Sequence, residues 1–167
     1  MEVQVAVSIF IVMMLSAMGI FKSVLDSQQG AITAKNVQES IRYVMEAISK
    51  ELRSARRSDG TEGCGVPAGT IYFLNGGGLH FINKSGDCVK YYKNNNALMI
   101  DRKIGGTTYV GTTTPSNVRL KEFNINIPNV AFSQPRVTIE MVVDSLDRSV
   151  NKQDIRLQTT ISSRFYN

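Results

Sequence analysis

One histidine, two cysteines and a scatter of carboxylates are the residues whose chemistry could support catalysis or metal binding. His80 is the single histidine and sits inside an expected strand beside Phe81, so any Ser-His-Asp or Cys-His arrangement would depend on it alone. A pairing or packing role is expected for it. Cys64 and Cys88 lie 24 positions apart in a stretch rich in Gly, Asn and Asp, with neither a CxxC nor the histidine spacing of a zinc site. They read as a disulfide in an exported domain or as two buried thiols. Asp101, Asp144, Asp147 and Asp154 do not have the spacing of a calcium loop. Gly76-Gly77-Gly78 lacks the Lys and the following helix of a phosphate-binding loop, and reads as a turn. An enzyme is therefore not expected, nor a cofactor or a metal.

The formal net charge is +5. The basic residues are spread along the chain, with Arg42, Lys50, Arg53, Arg56 and Arg57 on one expected helix. No aromatic-interleaved basic stretch accompanies them, so they read as solvated surface charge, with DNA as a secondary candidate partner. The residues that would carry a basic binding surface are Arg53, Arg56, Arg57, Lys90 and Lys93. Asn83-Lys84-Ser85 fits a glycosylation sequon, a pattern frequent by chance.

Glu2 is the acid whose position carries more information. It heads a run, 3–21, that contains no charged residue. As a helix that run is about 28 Å long, against a hydrocarbon core of about 30 Å, so it can span a bilayer. A cleaved secretory signal would have a positive leading region and a shorter apolar stretch, and neither is present. An acid at a helix N-terminus is favoured by the helix dipole, but at a membrane edge it needs a partner or water. A cation from another chain would meet that need. Export of the residues beyond the span favours the disulfide reading of Cys64 and Cys88, and closing such a loop is worth about 3 kcal/mol in the chain-entropy model.

After Phe21 the pattern becomes a helix with one apolar stripe: Val37, Ile41, Val44, Ile48, Leu52 and Ala55, at steps of three and four. A helix over 2–57 would be about 84 Å long, too long for a small head to cover, so its first half must be buried by lipid or by other chains. Gly19 and Gly30 are candidate kinks. Beyond Gly60 the period drops to two. Four strands are expected at 70–74, 79–83, 87–93 and 97–102, joined by Gly- and Asn-rich turns, with Tyr72, Phe73, Phe81, Tyr91 and Tyr92 as packing residues. Three longer strands are expected at 117–127, 136–144 and 153–163, the first with a bulge near Lys121-Glu122 where its apolar phase shifts. Their dry faces need a cover, and the helix stripe is the available one. The expected fold is α+β, with a long helix packed on an antiparallel head. Its parts are an apolar half-helix (1–21), an amphipathic half (22–58) and a β head (59–167), the last holding a meander (70–102) and the longer strands (117–163).

The segment Met1-Glu2-Val3-Gln4-Val5-Ala6-Val7-Ser8-Ile9-Phe10-Ile11-Val12 resembles the mature N-terminus of type IV pilins and type II secretion pseudopilins, in which a glutamate stands near the start of an apolar helix. The closing Leu157-Gln158-Thr159-Thr160-Ile161-Ser162-Ser163-Arg164 is similar to the last strand of prepilin-type minor subunits, including the J-class pseudopilins. The resemblance covers the helix closely and the head thinly. It implies a structural subunit of a type IV pilus or pilus-like filament, with the alternative of a minor tip-complex pseudopilin of a type II secretion or DNA-uptake system; apart from the resemblance, the basic residues leave a membrane-anchored binding module with a basic head surface as a further alternative. It implies storage in the inner membrane, then assembly by the pilus machinery, with like copies or other pilins, into a filament at the cell surface. Prepilin processing and N-methylation belong to the same expectation. In that family the glutamate is the fifth mature residue. Glu2 is second here, so either a few residues and a leader precede Met1, or the start is placed too late, or the chain departs from the family. The implied assembly residues are Glu2, which would meet a neighbour's N-terminal amine, with Met1, Val3, Val5, Val7, Ile9, Phe10, Val12 and Leu15, and Gly19 as the place where the helix loosens.

Overall fold

A computed structural model of the chain describes residues 2–128, 134–146 and 154–164; Met1, Asp147 and Gln153 lie outside them. The N-terminal element is a single α-helix, α1 (Glu2–Arg53), with no break at Gly19 or Gly30. Proline is absent before Pro67, and Glu2 in the first turn and Lys50 and Arg53 in the last complement the helix dipole. The helix stops at Arg53, a turn earlier than its charge pattern suggests. Ser54 and Ala55 fold back with N–H bonds of 3.1 Å to the carbonyls of Glu51 and Leu52, tightening the last turn. Orphan carbonyls at the end are then met from the head: the Tyr72 hydroxyl donates to Leu52 O at 2.8 Å and the Arg164 N–H to Arg53 O at 3.0 Å.

Eight strands make up the head: β1 (Tyr72–Asn75), β2 (Gly78–Ile82), β3 (Cys88–Asn94), β4 (Ala97–Ile104), β5 (Thr107–Thr112), β6 (Val118–Asn126), β7 (Arg136–Ser145) and β8 (Ile155–Ser162). They form two antiparallel sheets. The first is a five-stranded meander in sequence order, β1-β2-β3-β4-β5, and the second has the order β6-β7-β8. The meander has a fifth strand that the four expected ones omit, turned at Gly105-Gly106, both at positive φ. The register between β6 and β7 shifts between Leu120 and Glu122. This bulge carries the core-facing phase from Val118 and Leu120 to Phe123 and Ile125.

One core lies between α1 and the two sheets. Val37, Ile41, Val44, Ile48, Leu52 and Ala55 are all buried there, joined by Met45. They meet Leu79, Phe81, Val89, Tyr91 and Leu98 of the first sheet, and Leu120, Val137, Ile139, Met141, Val143 and Ile161 of the second. Tyr72, Phe81 and Tyr91 are buried, while Phe73 and Tyr92 are half-buried on the opposite sheet face. Ile82 is also fully buried, although the alternation along β2 places it away from the helix. The connection between α1 and β1 covers it. Arg56 N–H bonds Ile82 O at 3.0 Å, Val66 is buried in the same connection, and Cys64 is joined by a disulfide to Cys88, whose Cα is 5.4 Å away.

Candidate assembly surface

Residues 2–29 are exposed throughout, and the first residue of α1 to be buried is Val37. The most apolar 18-residue window of the helix has a mean hydropathy of 2.3 with none of it buried, so the helix is long and apolar enough to cross a membrane. Each large apolar side chain left in water forfeits about 1.5–3 kcal/mol of burial. Val3, Val5, Val7, Ile9, Phe10, Val12 and Leu15 alone make that cost too great to leave uncovered in water. The two hydroxyls within the run are closed on the helix itself: Ser8 Oγ donates to Gln4 O and Ser16 Oγ to Val12 O, each at 2.8 Å. A surface with its polar hydrogens so satisfied suits hydrocarbon or a packed helix.

The exposed apolar face does not end with the expected span. Phe21, Val24, Leu25 and Ile32 continue it, Ile32 being 60% exposed. At about 100° per residue, Ile32 points about half a turn away from Ile41, which faces the head. Ile32 also stands about 45 Å along the helix from Glu2, beyond the roughly 30 Å of a hydrocarbon core. The hydrocarbon core cannot cover the run and Ile32 together. Gly19 lies inside this surface with nothing within 4 Å of an added Cβ.

The opposite end of α1 is fixed by polar contacts. Glu51 accepts from the Tyr91 hydroxyl at 2.6 Å and from Arg102 Nη2 at 2.5 Å, tying the helix to β3 and β4. Burial first, and then the Glu51 carboxylate, push the Tyr91 phenol above its ordinary range. In the second sheet the fully buried Asp144 is held by Arg119 through two hydrogen bonds, from Nε at 2.8 Å and from Nη2, with Lys121 at 3.5 Å. Neither network is visible in the sequence pattern. Both pair charges far apart in sequence, which helix and strand periodicity do not register.

Arg53 shares a groove with Arg42, Lys50, Lys84 and Arg164, but Arg56, Lys90 and Lys93 of the expected basic surface do not join it. Arg56 pairs with Glu62 at 3.4 Å, and Lys90 lies 4.6 Å from the Tyr92 ring centroid. Lys90 and Lys93 are three residues apart on β3 and so project from opposite faces. His80 packs edge-on against Phe73, its cross-strand partner, with ring centroids 6.4 Å apart. Burial, and then the charge of Lys90, lower its pKa. Asn83, in the sequon, is buried. Its amide donates to Asp87 at 3.0 Å, and its oxygen accepts the N–H groups of Ser85 and Asp87 at 2.9 Å. A glycan there would have to displace that turn.

Comparisons with protein-family models, with curated proteins and with solved structures found no match to this chain. The fold itself is α+β, a long N-terminal apolar helix lying on antiparallel sheets, and is compatible with a pilin-like architecture.

Proposed function

We infer that this protein is a structural subunit of a type IV pilus or pilus-like filament, held by its apolar half-helix in the inner membrane and then packed through the same surface among its own copies or other pilins. One observation carries the reading. A single unbroken helix is bare and apolar over one half and packed by one face on a disulfide-bearing head over the other. A plain membrane anchor needs only about 20 residues of span. It does not need an exposed apolar face that runs on to Ile32, beyond the hydrocarbon core. In a filament, neighbouring helices cover that face, and Glu2 at the helix head pairs with the N-terminal amine of an adjacent subunit. The dispersal of Arg56, Lys90 and Lys93 gives the alternative basic binding module less support.

Replacing Glu2 by Ala is expected to abolish incorporation into filaments while leaving the head folded. Electron microscopy and fractionation of cells producing the variant would check both parts. Normal filaments containing Glu2→Ala subunits would defeat the proposal.

A further inference from the structure

Strand β5 is at odds with the rest of the head. It is an edge strand, paired only with β4, and is almost wholly exposed on both faces, with Tyr109 59% and Val110 61% exposed on opposite sides. Ile104, 45% exposed at the end of β4, extends the apolar surface on the Tyr109 side. Its sequence, Thr-Thr-Tyr-Val-Gly-Thr, has high β-propensity and contains no charge and no proline. The usual protections of an exposed edge are a charged side chain, a proline, a bulge or very short length, and β5 has none of them.

The other edges differ. On β6, Arg119, Lys121 and Glu122 would meet like charges if a second copy were laid against it, and β8 carries Arg156. The remaining edge, β1, is uncharged but only four residues long, with Tyr72 buried in the core. Like charges set opposite each other on neighbouring strands are destabilising. Among the described strands, β5 is therefore the one edge of more than four residues that carries no charge and so can oppose its own copy in any register without like charges meeting.

We propose that β5 is a self-pairing edge, taking as its partner the β5 of a second copy of this chain, so that two five-stranded sheets join through main-chain hydrogen bonds. A two-fold antiparallel arrangement sets the same patch on both partners, the commonest symmetry of homo-oligomers. It places Thr, Tyr, Val and Gly side chains against one another and covers Tyr109 and Val110. This contact lies on the head and is separate from helix-mediated filament assembly.

The test uses the full chain in detergent micelles, with Val110→Cys and a short bis-maleimide linker. Cys64 and Cys88 are already paired and do not react. The expected result is a covalent dimer mapped to position 110 in both copies, and little product from Gln158→Cys on the charged β8 edge. Adding Thr112→Lys to Val110→Cys should cut the dimer yield about tenfold, since an edge lysine blocks strand pairing. The dimer should persist in Glu2→Ala, which separates this contact from helix assembly. Equal crosslinking at 110 and 158, a yield unaffected by Thr112→Lys, or the absence of any dimer at 110 would each overturn the proposal.

Discussion

Asp144 is the side chain through which acidity should act on this head. The hydrogen bonds from Arg119 hold its carboxyl below the ordinary value of 3.8, against burial, which pushes it up. In the unfolded chain the carboxyl regains that ordinary value. The unfolded state therefore takes up protons first as the pH falls. The stabilisation by this group is complete above about pH 5 and is lost progressively as the pH drops through the folded-state pKa. Denaturant midpoints measured across that range should fall toward acid, and Asp144→Asn should flatten the dependence. At neutral pH the same substitution should cost about 3 kcal/mol, the lower end for breaking a buried pair, because Arg119 and Lys121 keep part of their solvation. An unchanged acid limb in Asp144→Asn would show that other carboxylates govern it.

Two halves of one helix should answer mutation differently. Ile41→Ala empties a fully buried position and should lower head stability by about 2–5 kcal/mol. Ile9→Ala, on the exposed half, should leave it within about 0.5 kcal/mol, since nothing in the chain packs on it. Thermal unfolding of both variants in one detergent would make the comparison. This division is legible in sequence because Val37 to Ala55 repeat at steps of three and four, whereas 3–21 is apolar on every side. The bulge at Lys121 is legible too, since a phase shift in alternation has few other causes. Strand β5 is not. A strand exposed on both faces has no burial pattern to read, and its only signals are the Gly105-Gly106 turn and the β-branched residues after it. The helix end is hidden because Arg53, Arg56 and Arg57 continue the polar pattern. Leu52 O and the Arg56 N–H, which would bond each other in a longer helix, are taken instead by Tyr72, twenty residues on, and by Ile82. The candidate site is legible as composition and length. Its extension to Ile32 needs the position of the head, which decides the residues of the helix that stay uncovered.

For the whole molecule, the junction at the end of α1 decides how the parts hold together. Tyr72 of the first sheet bonds Leu52 O, Arg164 beyond β8 bonds Arg53 O, and Ser163 Oγ reaches Ala55 O at 3.3 Å. The beginning and the end of the head thus meet on the same turn of helix. The disulfide fastens the intervening connection to β3, over Ile82. Mechanically, this makes the helix a tether whose load enters both sheets at once. A pull along α1 strains the two attachments in parallel, and neither sheet can be peeled away while the other bears no force. Stretching single molecules by the N-terminus and the C-terminus, which sets both sheets between the points of pull, should therefore unfold the head in one step under oxidising conditions. Two well-separated rupture events would show that the sheets carry the tension one after the other.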